Sequence, residues 1–229
     1  NIVFIMADDL GWQDVGYMGA EFFETPNIDR FAEQGMKFTA AYSGGPNCSP
    51  TRACIMSGTY TPRHHIYTPG GKAKGNSKYM RLLVPVRDRR DRALEERACS
   101  QFPVANSLAP NTVCIPEVLG SVGYRTARLG KWHLGALGVE GYQPRDQGFE
   151  ELAYFDHGGS PYFDWREKWN EPGPDLGIEY LTDDLTERAA RFIRECTAAK
   201  QPFFLYLPHF AVHGPREAKP DDVNYFSKK

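Results

Sequence analysis

The sequence predicts an α/β domain in which a mostly parallel sheet is sandwiched by helices. Three observations predict it. The short apolar runs Ile2–Met6 and Phe203–Leu207 read as strands buried on both faces, and Tyr124–Leu129 reads as a further strand. Segments with helical spacing and recognisable start and stop signals lie between them. The chain has 229 residues, 41 % of them hydrophobic, enough for one domain with a substantial core. Strands that alternate with helices imply parallel pairing, with the crossovers covering both faces.

Each element follows from local chemistry. Asn1 leads straight into the first strand, and so abrupt a start points to a trimmed chain. Thr25-Pro26 supplies an N-cap and a first-turn proline; Ile28, Phe31 and Ala32 then share a face, and Gly35 closes the helix. Met36–Ala41 reads as a second strand. A short helix is expected from about Pro50 to Ser57. Pro116 opens another, through Val118 and Leu119, ended by Gly123. Thr182 is the expected cap of a long helix with Asp183 and Asp184 in its first turn, and Leu185, Ala189, Phe192, Ile193 and Cys196 line one face.

Two stretches interrupt this pattern. Residues 72–97 are dense in Lys and Arg, including Arg87, Arg89, Arg90 and Arg92, and read as an inserted surface segment. Such a segment is either a solvated face or a lip that attracts an anionic substrate. Residues 154–177, rich in Gly, Pro and aromatics, read as a long loop over the site.

Composition excludes several functions. A formal net charge of −2 argues against general nucleic-acid binding. No apolar run approaches the roughly 18 residues of a membrane-spanning helix. The five cysteines, Cys48, Cys54, Cys99, Cys114 and Cys196, form neither a CxxC pair nor a zinc spacing. Buried thiols account for four of them; Cys48 has a different context.

Four clusters carry chemistry, each just after a strand or at a helix start, where open α/β sheets bind ligands. Asp8-Asp9 places two carboxylates side by side, an arrangement that a hard cation such as Ca²⁺ or Mg²⁺ compensates; the alternative is an acidic loop or helix cap. Cys48-Ser49-Pro50-Thr51-Arg52 sets a cysteine at a helix start, with an arginine one turn on; unpaired N–H groups and a guanidinium then converge on residue 48. Lys131 and His133, two apart on a segment expected to be extended, would share a face and supply charge and proton transfer. His209 and His213 follow the last strand; His209 reads as structural, and His213, in His-Gly-Pro, is the stronger candidate.

These clusters together resemble a known family. Cys48-x-Pro50-x-Arg52 followed by Ser57-Gly58 is similar to the signature that directs formylglycine formation in type I sulfatases, members of the alkaline phosphatase-like superfamily. Gly123-Tyr124-Arg125-Thr126 through Gly130-Lys131-Trp132-His133-Leu134-Gly135 resembles their second signature. Asp8-Asp9-Leu10-Gly11 and the segment from Pro202 to His213-Gly214-Pro215 resemble the metal-binding start and the later histidine segment, all in family order.

The resemblance implies a sulfuric ester hydrolase, arylsulfatase-like, in which a formylglycine-generating or equivalent maturation enzyme oxidises Cys48. The hydrated aldehyde would attack sulfur, and its second hydroxyl would allow sulfate to be expelled. Asp8, Asp9 and the modified Cys48 would hold Ca²⁺, with Mg²⁺ as the alternative. Arg52 would stabilise the hydrate, and Lys131 would neutralise sulfate oxygens. His133 would assist sulfate elimination, and His213 would bind sulfate and help protonate the leaving oxygen. The implied substrate is a sulfated small molecule or sulfated carbohydrate, and the implied location is periplasmic or secreted. The family's downstream Asp-Asn pair and second active-site Lys have no match after His213, so residues 1–229 are expected to form an incomplete N-terminal catalytic domain, its C-terminal part missing. Two alternatives stay open: a phosphonate or phosphate ester hydrolase of the same superfamily, and a catalytically inactive relative that binds sulfated glycans.

Overall fold

The computed structural model describes residues 1–67, 69, 105, 107–135, 139–153, 160–168 and 174–229. Through them the chain runs β1 (Ile2–Met6), α1 (Pro26–Gln34), α2 (Cys48–Ser57), α3 (Thr61–His64), α4 (Ile115–Ser121), β2 (Arg125–Leu129), β3 (Glu151–Ala153), α5 (Trp165–Lys168), α6 (Leu181–Ala198), β4 (Phe203–Pro208) and α7 (Pro220–Phe226). Short 3-10 turns occupy Gly16–Met18 and Pro144–Gln147.

The strands form one sheet in the order β1-β4-β2-β3, with every pairing parallel. Ile2 lies opposite Phe204, Arg125 opposite Phe203, and Ala127 opposite Glu151. β4 is central, and all of its residues are buried. Its alternate side chains divide the core in two, as the period of a strand requires. Phe203, Leu205 and Leu207 meet the face of α6 that carries Leu181, Leu185, Ala189, Phe192 and Cys196. Phe204 and Tyr206 meet Ala53 and Met56 of α2, with Trp132 and Phe149. Burying each of the large side chains contributes roughly 1.5–3 kcal/mol, so these two layers dominate the stability of the sheet. Helices on both faces agree with the α/β architecture expected from sequence.

Several local expectations are corrected. Among the described residues β1 pairs with β4 alone, where burial on both faces was expected: Ile2, Val3 and Ile5 are 41 %, 44 % and 62 % exposed, and Phe4 and Met6 pack against the core. Met36–Ala41 is no strand; Met36 and Phe38 are exposed, and among the described residues no ladder reaches them. α6 begins at Leu181 after an extended Tyr180, so Thr182 lies inside it rather than capping it. α2 begins at Cys48, two residues earlier than expected, which places that residue in the first helical position. The basic segment 72–97 and Cys99 lie outside the described residues. The segment 154–177 is described only over 160–168 and 174–177, where it includes α5.

Candidate active site

Parallel strands bring their C-terminal ends to one edge, and the loops leaving that edge carry most of the candidate residues. Asp8 follows β1, Lys131 follows β2, and His213 follows β4. The β1–β4 pairing continues past the sheet: His209 N–H donates to Met6 O at 2.9 Å, Asp8 N–H to Ala211 O at 2.8 Å, and Val212 N–H to Asp8 O at 2.6 Å. Asp8 is thereby held beside the segment that leads to His213. Lys131 N–H donates to Pro208 O at 2.9 Å, which ties the β2 loop to the end of β4. Gly130 permits that approach: its φ is +130°, and a Cβ there would stand 2.2 Å from Pro208 O. Only glycine adopts such a backbone without strain.

α2 brings the third group of residues. Asn47 is extended and offers no side-chain cap, and Cys48 and Ser49 are buried at the helix start. Pro50 in the first turn has no N–H to satisfy, so the helix begins there without that orphan donor. Gly58, at φ 65°, ends the helix in the left-handed conformation typical of a C-cap. Arg52, one turn beyond Cys48, is fully buried. Its Nη1 donates to Lys131 O at 2.9 Å and to the Tyr206 hydroxyl at 3.2 Å, locking α2 onto the β2 loop and onto β4.

The charged groups meet between these elements. The Lys131 ammonium donates to Asp8 Oδ2 and stands 3.6 Å from Cys48 Sγ. Arg52 Nη2 lies 3.5 Å from Asp8 Oδ1. Two buried cations therefore flank one buried carboxylate beside residue 48. Burial alone would raise the Asp8 carboxyl, but Arg52 and then Lys131 outweigh it and hold it below its usual range. Burial pushes the Cys48 thiol up, and Lys131 opposes this in part. Cys48 is thus a thiol in a cationic pocket, poorly suited to serve as a thiolate nucleophile itself.

His213 reaches the same place from β4. One ligand atom each from Asp8, Cys48 and His213 lie within 4.8 Å of one another. His213 Nδ1 is 2.6 Å from Gly214 O, which as a carbonyl only accepts; the ring therefore carries its proton at Nδ1 and directs Nε2 toward Asp9, whose Oδ2 is 3.8 Å away. Asp9 has left-handed backbone, φ 61°, and points outward more than Asp8 does.

Not every expectation survives. His133 does not share an extended face with Lys131: its φ is 60°, so the chain turns there, and it falls outside the 4.8 Å group. Its side chain is buried and engaged. His209 is structural as expected, its N–H in the β1–β4 ladder and its imidazole pushed down by burial. Two residues were missed. Tyr206 anchors Arg52, and a lone polar group in an apolar strand was its only signal. Tyr162 donates to His213 O at 2.8 Å, and nothing in its local sequence marks it.

The donors suit a hard cation in part. Asp8 and Asp9 are adjacent carboxylates, and an oxygen in place of the Cys48 sulfur would make the group all-oxygen on that side. Ca²⁺ takes about six to eight oxygen ligands, so these residues would supply part of its shell.

Comparison with known proteins decides the family. Residues 1–229 match the family described as Sulfatase. The chain belongs to the sulfatase family. This sulfatase chain is 31 % identical over 232 residues to N-acetylgalactosamine-6-sulfatase of Mus musculus, covering 94 % of itself and 40 % of that protein. To arylsulfatase G of Rattus norvegicus it is 27 % identical over 267 residues, covering 100 % of itself and 44 % of that protein. The crystal structure of Ps i-CgsB in complex with k-i-k-neocarrahexaose superposes with a TM-score of 0.77 at 28 % identity, covering 100 % of this chain and 48 % of that one. Phosphonate monoester hydrolase of Agrobacterium radiobacter, 17 % identical with a TM-score of 0.61, shares the fold. The sulfatase chain spans less than half the length of each of these relatives.

Proposed function

We propose that the whole protein hydrolyses a sulfate ester, with residue 48 acting as formylglycine derived from Cys48 and with a divalent cation, Ca²⁺ or Mg²⁺, held by Asp8, Asp9 and residue 48. The observation that carries this reading is the placement of the Lys131 ammonium, in contact with Asp8 and 3.6 Å from Cys48 Sγ, with Arg52 on the other side of Asp8.

As formylglycine, residue 48 supplies a hydrated aldehyde, in which one hydroxyl attacks sulfur and the other allows sulfate to leave. A cation bound beside it supplies positive charge that favours deprotonation of a nearby oxygen. The remaining work falls to the chain's own side chains. Lys131 Nζ binds a sulfate oxygen and neutralises charge in a site that excludes water. Arg52, immobilised by Lys131 O and Tyr206, orients residue 48. His213 keeps Nδ1–H on Gly214 O and so presents Nε2 as the atom that gives a proton to the leaving ester oxygen. Asp9, 3.8 Å away, balances the imidazolium while that proton is held. His133 completes the cycle by taking a proton as sulfate departs. A maturation enzyme that oxidises Cys48 is a required partner.

A sulfated carbohydrate is the proposed substrate class. Support comes from Ps i-CgsB, whose crystal structure is named as a complex with k-i-k-neocarrahexaose, and from the relatives named N-acetylgalactosamine-6-sulfatase. The test is turnover of matched aryl sulfate and aryl phosphate esters by the whole protein. Faster sulfate hydrolysis, lost on the order of 100-fold or more in Lys131→Ala, is expected. Preference for the phosphate ester, or sulfate turnover unchanged in Cys48→Ala, would overturn the proposal.

A further inference from the structure

The His213 loop is braced from outside by residues that belong to none of the clusters described above. Tyr162 is 3 % exposed, and its hydroxyl donates to His213 O at 2.8 Å. Its backbone is pinned in turn: Glu217 Oε2 accepts from Tyr162 N–H at 2.6 Å and from Phe163 N–H at 3.3 Å, while Tyr162 O accepts from Leu181 N–H at 2.8 Å. The Tyr162 ring stacks on Tyr180 at 5.8 Å between centroids, and the Tyr180 hydroxyl donates to Glu217 O at 3.3 Å. His213 and Glu217 lie four residues apart on one segment. Tyr162 and its neighbour thus grip that segment at two points, one through a side-chain donor and one through main-chain donors.

The grip acts at the backbone that carries the His213 ring. Among the described residues, the His213 imidazole pairs through Nδ1 with Gly214 O and faces Asp9 through Nε2 at 3.8 Å, the latter too long for a hydrogen bond. The ring's direction therefore follows its backbone, and the Tyr162 hydroxyl is bonded to that backbone at the residue itself. Burial, then Tyr180 and the Asp8 carboxylate, push this hydroxyl above the usual phenol range, so it remains a neutral donor.

We propose that Tyr162 and Glu217 are positioning residues for His213: the Tyr162 hydroxyl and the Glu217 carboxylate together set where the His213 imidazole stands relative to residue 48. This rests on the role given to His213 above. A small displacement of a proton donor lowers turnover far more than it lowers substrate binding, because the proton moves only in the transition state. The bracing reaches the site through main-chain atoms, so it depends on hydrogen-bonding capacity and not on charge.

The experiment compares kcat and KM for an aryl sulfate in the whole protein and in Tyr162→Phe, Glu217→Ala, Glu217→Gln and His213→Ala. Phenylalanine keeps the ring stack and removes only the donor. Tyr162→Phe and Glu217→Ala are expected to lose kcat on the order of 10- to 100-fold with KM within about twofold of wild type. Glu217→Gln, which keeps an acceptor oxygen, is expected to restore most of it. Should Tyr162→Phe or Glu217→Ala lose activity only in step with a lowered melting temperature, the residues are structural and the proposal fails. It also fails if both variants keep wild-type kcat while His213→Ala loses it, and the sulfatase reading then stands. Wild-type kcat in His213→Ala would instead overturn the role of His213 itself, and the positioning claim with it.

Discussion

Lys131 and Asp8 form an ion pair whose side chains are 0 % and 4 % exposed, and it joins the loop after β2 to the loop after β1. A pair so far from water is sensitive to the loss of either partner, because the remaining charge stays buried. Lys131→Met should therefore destabilise the protein by about 3–5 kcal/mol, less whatever Arg52 recovers by moving toward Asp8. Urea unfolding monitored by tryptophan fluorescence measures this. A loss below about 1 kcal/mol, the level of a surface pair, would show that the pair is solvated in solution.

Gly130 sets the approach of the same loop to β4. Gly130→Ala places a Cβ against Pro208 O and asks alanine to adopt a φ of +130°. The substitution should cost at least about 1–3 kcal/mol and displace Lys131, so both stability and turnover should fall. Gly58→Ala, where nothing lies within 4 Å of the added Cβ, should weaken stability while leaving Lys131 in place. Equal effects of the two on turnover would contradict this account of the loop.

Cys114 gives a pH dependence outside the site. Burial, and after it Glu117, pushes its thiol up to about 12, and its Sγ donates to Gln147 Oε1 at 2.9 Å. A folded pKa above the unfolded value of about 8.5 means that the unfolded chain loses the proton first. The stabilisation is complete below about pH 8.5 and is lost as pH rises toward 12, with a slope approaching about 1.4 kcal/mol per pH unit. Cys114→Ser should flatten that alkaline slope in denaturant titrations. An unchanged slope would show that the thiol ionises as readily in the folded protein.

Cation binding predicts linked stability. Ca²⁺ at about 100 times its dissociation constant should raise unfolding free energy by about 2.7 kcal/mol, and a chelator should remove the gain. Asp8→Asn and Asp9→Asn should each reduce it. A melting temperature that does not respond to Ca²⁺ or Mg²⁺ would count against the proposed ligands.

Much of this arrangement was legible in the sequence because the relevant signals are local. Asp8-Asp9 directly follows an apolar strand, Cys48 and Arg52 are spaced by one helical turn, and Lys131 follows β2. Parallel topology then delivers the three loops to one edge. The misreadings have physical reasons. An apolar run such as Ile2–Met6 reports that both faces carry apolar side chains, not where the strand lies in the sheet. The alternation in Met36–Ala41 suits a strand, but strand formation also needs a ladder partner. His133 was placed on an extended segment, yet its φ of 60° is left-handed backbone, which no local pattern announces. Tyr162 reaches His213 across 51 residues of sequence and reaches Glu217 across 55, and no periodicity encodes such contacts.

The account turns on the identity of side chain 48 in the mature protein. Tandem mass spectrometry of the peptide containing Cys48–Arg52, from whole protein purified from its native host, reads it directly. The account predicts a fragment series in which residue 48 has lost its sulfur and carries an aldehyde that hydrazide reagents trap. An intact thiol at residue 48, alkylated by iodoacetamide in protein that hydrolyses sulfate esters, would contradict it.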